Sequence, residues 1–90
     1  MKNFATRDLY LASTLVTLKF SLLGIDYQIE GDKMNPVGYF RFDDTPELQD
    51  IRLKYNQGNL LVEPKAYITA LKSLKSEIIN LYRNPHLSRF

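Results

Sequence analysis

The chain has 90 residues, of which 12 are Lys or Arg and 10 are Asp or Glu, and it contains no cysteine. The near-neutral charge of +2 argues against a dedicated nucleic-acid binder, and the lack of cysteine excludes disulfides and thiolate-bound metals. No apolar run approaches the ~20 residues of a membrane span, and the N-terminus lacks a signal segment. We therefore expect one soluble, cytoplasmic domain over residues 1–90, with a core at 4–83 and a tail at 84–90.

The first predicted element is a helix from Thr6 to about Lys19. Its polar residues are few, so we expect it to be more buried than an average surface helix. Thr6 is the predicted N-cap, and Asp8 places a negative charge in the first turn, where the helix dipole favours it. The apolar stripe consists of Leu11, Leu15 and Leu18.

Two strands are predicted next, because the hydrophobic period changes from 3.6 to 2. Leu23, Ile25, Tyr27 and Ile29 alternate with polar or small residues, and Val37 to Phe42 forms a second strand in which Phe40 and Phe42 face the core. The polar segment from Glu30 to Pro36 makes the pair an antiparallel hairpin. The outward positions are Asp26, Gln28, Tyr39 and Arg41.

A second helix is predicted to begin near Pro46, with Thr45 or Asp44 as its cap and Glu47 at the positive end of the dipole. Gly58 can take the left-handed conformation that ends a helix. The narrow apolar face of this helix consists of Leu48, Ile51 and Tyr55. A short third strand is expected at Asn59 to Val62.

The most strongly amphipathic stretch runs from Pro64 to Tyr82 and predicts a helix of about five turns. Proline suits the first turn of a helix, and Asn84-Pro85 stops this one. Its apolar stripe consists of Tyr67, Leu71, Leu74 and Ile78. The predicted order is α-β-β-α-(β)-α, an α+β domain in which a small antiparallel sheet of two or three strands carries its helices mainly on one face.

One set of residues resembles the metal site of Mg²⁺-dependent nucleases. Asp43 and Asp44, followed by Glu63 and Lys65, fit a D…(D/E)xK arrangement, in which carboxylates hold the ion and a lysine orients water. The Asp43-Asp44 pair and Glu63 also lie just before predicted helices, and this position is enough to explain their carboxylates without a metal. The single histidine, His86, has no cysteine or second histidine with which to form a zinc site.

Two features relate to nucleic acids. The segment from Val37 to Phe42 is similar to the aromatic strand of RNA-recognition domains, but no basic residue precedes Gly38, and that fold begins with a strand rather than a helix. The last helix carries a basic flank that could contact phosphates, or could simply cover apolar surface with its aliphatic stems. This basic flank consists of Lys65, Lys72, Lys75 and Arg83.

Four segments, with the paired strands after the first of them, together resemble a small uncharacterised single-domain family of bacteria, archaea and their viruses or mobile elements. The segments are Phe4 to Ala12, Asp44 to Leu48, Tyr55 to Gly58 and Leu71 to Lys75. In this family we expect a glycine at the end of the first helix, where this chain has Lys19. The resemblance covers residues 4–82 and implies no activity; it favours an accessory protein of a prophage or mobile element.

The sequence therefore favours a non-catalytic binding or assembly module with no cofactor, no metal and no small-molecule substrate. We expect a protein partner or a homodimer that uses Asp26, Gln28, Tyr39 and Arg41, because Tyr and Arg are enriched at interface hot spots. The opposite charges of Asp26 and Arg41 would let two copies pair them reciprocally. Nucleic-acid binding through the basic flank is the first alternative, and a Mg²⁺-dependent nuclease is the second.

Overall fold

The computed structural model describes residues 2–29 and 36–83, with side chains at 2–28 and 37–80. The predicted hairpin loop and the tail after residue 83 lie outside this part. The elements are β1 (Asn3–Thr6), α1 (Leu9–Thr17), β2 (Leu22–Ile29), β3 (Pro36–Asp43), α2 (Pro46–Gln57) and α3 (Pro64–Arg83). The α+β class is confirmed, while the observed order is β-α-β-β-α-α.

The three strands form one sheet in the order β1-β3-β2, and both neighbouring pairs are antiparallel. Strands β1 and β2 therefore run parallel to each other with β3 between them, and α1 connects them across one face. This is the split β-α-β arrangement. The central strand is thus β3, the strand with the alternating aromatic pattern.

All three helices contribute to one core on a single face of this sheet, as predicted. Phe40 is 1% exposed and Phe42 is fully buried, and Ile25 lies beside them on β2. The helices cover these side chains with Leu11 and Leu15 from α1, Leu48 from α2 and Leu74 from α3. We call this covered side the inner face of the sheet.

The start of the chain corrects the sequence prediction. Thr6 is not a helix cap but the last residue of β1, and its Oγ1 accepts a hydrogen bond from the Asp8 amide at 3.0 Å. Asp8 is the N-cap of α1, and its Oδ1 accepts from the amides of Tyr10 and Leu11 at 2.9 and 3.2 Å. A carboxylate at this position satisfies two amides that have no partner within the helix.

The predicted strand from Asn59 to Val62 is wrong. This segment links α2 to α3 without strand pairing, and Leu61 is 93% exposed. The third strand is instead β1, which pairs with β3 from Asn3 opposite Asp43 to Thr6 opposite Phe40. Because β1 takes the position beside β3, that position is not available to residues 59–62.

Strand β2 departs from simple alternation at its beginning. The pairing with β3 shifts between Leu22 and Gly24, so a bulge lies at Leu23, which is 38% exposed rather than inward. An extra residue in one strand reverses the side to which the following residues point. Alternation then resumes, with Ile25 inward and Asp26 outward.

The predicted ends of α2 and the start of α3 are confirmed. Thr45 caps α2 by accepting from the Leu48 amide at 3.1 Å, and Pro46 lies in the first turn. Pro64 is the first residue of α3, and the Glu63 carboxylate accepts from the Ala66 amide. The stripe of α3 places Leu74 in the core at 4% exposure.

Helices α1 and α2 end in the same way with different residues. Lys19 has φ 74° and Gly58 has φ 72°, both in the left-handed region. After each, the next amide reaches back to the last turn: Phe20 donates to the Leu15 carbonyl and Asn59 to the Lys54 carbonyl, each at 3.0 Å. This is the Schellman motif, in which glycine is the preferred residue. Lys19 therefore carries backbone strain that Gly58 does not.

We expect Leu74→Asp to unfold the domain at neutral pH. The variant loses a buried leucine, which costs roughly 2–5 kcal/mol, and leaves a carboxylate without a partner in the core. Circular dichroism checks this, with Ser73→Asp on the exposed side of the same helix as the control. A Leu74→Asp protein that melts like the parent would contradict the packing of α3.

We expect Lys19→Gly to stabilise the domain by about 1 kcal/mol, which raises Tm by about 4–8 °C in a chain of this size. Lys19→Ala should give no gain, because alanine meets the same barrier at positive φ. Gly58→Ala should lower stability by a similar amount. The added Cβ has no atom within 4 Å, so the loss comes from the left-handed backbone and not from a clash. Thermal melts of the three variants decide it; equal effects of Gly and Ala at position 19 would overturn the strain assignment.

Candidate functional site

The side of the sheet opposite the helices is the outer face. Alternation and register place every second residue of each strand there. All its side chains are exposed or half-buried, and no element among residues 2–29 and 36–83 packs over them. The outer face consists of Asn3, Ala5, Asp26, Gln28, Val37, Tyr39, Arg41 and Asp43.

The register brings the four predicted binding residues together on this face. Tyr39 lies directly opposite Asp26, and Gln28 lies opposite Val37 one step further along. Arg41 is two residues from Tyr39 on the central strand. Residues that are directly opposite in antiparallel strands have Cβ atoms about 5 Å apart, so the four side chains form one contiguous patch.

Arg41 and Asp26 form an ion pair within one chain, at 3.5 Å between Nη1 and Oδ1. Both side chains are more than a quarter exposed, so the pair contributes at most about 1 kcal/mol. The two charges therefore pair within one chain, while their reciprocal pairing between two copies stays a prediction. Gly24, opposite Arg41, has no side chain, which leaves room for the arginine stem across β2.

The Arg41 side chain is partly buried and partly exposed. Its Nε is buried and has no hydrogen-bond acceptor among the residues that the structure describes. Burying a donor without an acceptor destabilises the fold by about 1–3 kcal/mol. A binding partner could pair with this buried atom only if the side chain rearranged. The exposed part of Arg41 is therefore its terminal guanidinium, beside Asp26.

Two carboxylates of the nuclease alternative are engaged in local contacts. Asp44 accepts from the side-chain amide of Gln49, and the Glu63 carboxylate caps α3. Asp43 ends β3, one helix away from Glu63 in the chain. No group of three or more His, Cys, Asp or Glu side chains that could hold a metal ion occurs within residues 2–28 and 37–80. His86 lies outside the described residues.

The basic flank of α3 is exposed at Lys65, Lys72 and Lys75, and the side chain of Arg83 lies outside the described part. Lys65 and Lys75 are ten residues apart, or about 15 Å along a helix. The three lysines therefore form an extended row rather than a cluster around one point. They lie on α3, which packs against the inner face, so the basic flank is separate from the outer face.

The argument from element order against an RNA-recognition fold is wrong, since β1 precedes α1. The argument from the residues of β3 still applies. Two of the three aromatic residues of β3, Phe40 and Phe42, are buried in the core, which leaves Tyr39 as the aromatic side chain of the outer face. RNA-recognition sheets stack two or three bases on exposed aromatic rings.

A tyrosine–aspartate cluster was not predicted. The Tyr55 hydroxyl donates to Asp8 Oδ2 at 3.1 Å, so one carboxylate caps α1 and holds the last turns of α2. Burial, the Asp8 charge and this hydrogen bond raise the pKa of Tyr55 to about 12. The pKa of Tyr67 is also raised, mainly by burial and then by the charges of the nearby Tyr10 and Asp8. The partners are 47 residues apart in the chain, and no local pattern marks such a pair.

These observations define a small α+β domain with one covered and one uncovered sheet face. The chain belongs to the family described as a domain of unknown function, DUF5659, whose family model matches residues 1–80. Comparison with curated proteins and with solved structures finds no match to the chain. Among the described residues, no helix combines the length and apolar character that crossing a membrane requires.

We expect Tyr55→Phe to lower stability by roughly 1 kcal/mol at pH 8, because the hydrogen bond to Asp8 is lost. Since the folded state raises the pKa of Tyr55 to about 12, the stability that its protonated form provides is complete below about pH 10 and is lost as the pH rises towards 12. The gap between the parent and Tyr55→Phe should therefore narrow above about pH 10. Thermal melts across this range check it, with the exposed Tyr10→Phe as control; a constant gap would contradict the assignment.

Proposed function

We propose that this domain is a non-catalytic protein-binding module whose working surface is the outer face of the sheet. One observation carries the proposal: α1, α2 and α3 all pack on the inner face, and no described element covers the other side. An antiparallel sheet tolerates water on one face. Here, however, the middle of the uncovered face carries Tyr39 and Arg41, two residue types that are enriched at protein interfaces.

The central strand supplies the anchors. Tyr39 and Arg41 are both half-buried, so each loses less freedom on binding than a fully exposed side chain would. Tyrosine and arginine combine a large contact area with a directional polar group, which is why they are enriched at interface hot spots. Asp26 and Gln28 lie beside them on β2 and provide the polar rim.

The area of the face limits its affinity. The eight residues of β3 span about 27 Å, and three strands are about 14 Å wide. A second copy would therefore bury less than about 800 Å² in total, below the roughly 1,200–2,000 Å² of stable specific interfaces. Strand β2 pairs only with β3 among the described strands, so its other edge is available to enlarge the contact. Self-association through this face alone is expected to be weak.

Nucleic-acid binding is the second candidate, supported by the exposure of Lys65, Lys72 and Lys75 along one helix. Binding of this kind weakens steeply with salt, because it releases counterions from phosphates. Binding through Tyr39 on the outer face depends on salt much less. A titration with DNA and RNA at two salt concentrations separates the candidates. A role as an accessory protein of a prophage or mobile element remains a prediction.

We expect the mass of the parent protein in sedimentation equilibrium to exceed its monomer value of 10.5 kDa as concentration rises from about 10 μM to about 1 mM, since an interface of this size gives weak binding. Tyr39→Ala/Arg41→Ala should remain monomeric and folded. Leu53→Ala/Asn56→Ala on the exposed side of α2 should associate like the parent. A parent that stays monomeric throughout excludes a second copy as the partner.

Photo-crosslinking tests the wider proposal that any protein binds here. The photoreactive residue p-benzoylphenylalanine replaces Tyr39 on the outer face or Leu53 on α2, which is 56% exposed. In cells that produce the protein, we expect a discrete protein adduct from position 39 and none from position 53. The same adducts from both positions, or none from position 39, would contradict the proposal.

A further inference from the structure

A groove of about 410 Å³ lies where the chain leaves β1 for α1, away from the outer-face patch. Phe40, Ile78 and Ile79 supply apolar walls, and Gly38 forms part of the floor. A Cβ on Gly38 would lie 2.2 Å from Ile78 Cδ1, so the glycine is what lets α3 approach β3 this closely. The groove is thus bounded by a strand on one side and a helix on the other.

The strand side of this groove presents an open edge. Strand β1 ends at Thr6 opposite Phe40, so Val37 and Gly38 lie beyond its last residue and have no described strand beside them on that side. Both residues line the groove. An edge of this kind offers backbone N–H and C=O groups to an added strand.

The described residues that line the groove carry charges of one sign. They include Arg7 and Lys75, and none of them is a carboxylate. Lys75 is exposed on α3, and Ile79, one turn further along, is 43% exposed. A ligand that fits this surface therefore carries a negative group next to an apolar one.

We propose that this groove binds a short extended peptide of a partner protein, with an apolar side chain between β3 and α3 and an adjacent Asp or Glu beside Lys75. The peptide continues the line of β1 along Val37 and Gly38. The peptide site goes beyond the proposed function, because it gives the protein a second binding surface and a preference for particular peptide sequences.

A peptide fits this groove better than a purely hydrocarbon anion does. A hydrocarbon chain laid over Val37 and Gly38 would remove water from the backbone edge without replacing the lost hydrogen bonds, which is costly. An extended peptide brings its own N–H and C=O groups to the same edge. Backbone pairing then gives affinity, while the apolar walls and Lys75 give specificity.

The test uses a phage-displayed library of random heptapeptides against the immobilised full chain. We expect enrichment of peptides that place Asp or Glu beside an apolar residue. The most enriched sequence, synthesised with capped ends and a fluorophore, should bind at least about tenfold more weakly to Lys75→Glu, because the charge at the groove is reversed. Ile79→Asn should weaken binding through the lost apolar contact.

Two controls lie on the same helix outside the groove. Lys72→Glu matches the charge reversal and Ile68→Asn, at an exposed site, matches the apolar loss. Both variants should bind the peptide with the affinity of the parent protein. Tyr39→Ala/Arg41→Ala should do so too, which would show that the peptide site is separate from the outer face. Four results would each overturn the peptide proposal. Two concern the library: no enrichment over blank wells, or enriched peptides without acidic residues. The other two are equal losses of affinity in Lys72→Glu and Lys75→Glu, and binding of decanoate in place of peptides.

Discussion

The rest of the structure depends on the burial of two phenylalanines, Phe40 and Phe42, on the central strand. Each stabilises the fold by roughly 1.5–3 kcal/mol relative to exposure, and together they form the surface on which leucines of all three helices converge. Because strand side chains alternate, fixing these two residues inward also fixes Tyr39 and Arg41 outward. The same constraint therefore builds the core and creates the proposed binding face.

A second constraint joins the helices to each other. Asp8 satisfies the first amides of α1 with one carboxylate oxygen and accepts from Tyr55 of α2 with the other. Arg52 of α2 lies over the Phe4 ring of β1 at 4.2 Å, which holds the short edge strand against the same helix. Such contacts between distant parts of the chain orient α2 relative to the sheet, because its own apolar face is narrow.

The sequence predicted the elements that carry a long periodic signal or a local cap. α3, the two hairpin strands and both ends of α2 follow from spacing, Pro46 and Gly58. Strand β1 was missed because four residues are too few to show a period of two, and Thr6 before Asp8 resembles a helix cap. The meeting of Arg41 with Asp26 depends on the pairing register, which the bulge at Leu23 shifts. The pairing of Tyr55 with Asp8 depends on tertiary packing that no local pattern contains.

The binding proposals share β3 but use different parts of it. The outer face offers anchors of limited area, while the groove beside Val37 and Gly38 offers a strand edge with positive charge. A partner that pairs along the edge and also reaches round to Tyr39 would bury more than either surface alone, and linking two weak contacts raises the overall affinity.

The four alanines of the chain test directly whether one face of the sheet is covered and the other is open. Ala5 lies on the outer face, Ala12 is fully buried, Ala70 is 7% exposed and Ala66 is exposed on α3. The measurement is NMR relaxation of ¹³C-labelled alanine methyls in dilute protein with a soluble paramagnetic gadolinium chelate. We predict that the Ala5 methyl relaxes as fast as that of Ala66, and much faster than those of Ala12 and Ala70. An Ala5 methyl as protected as that of Ala12 would show instead that the outer face is covered.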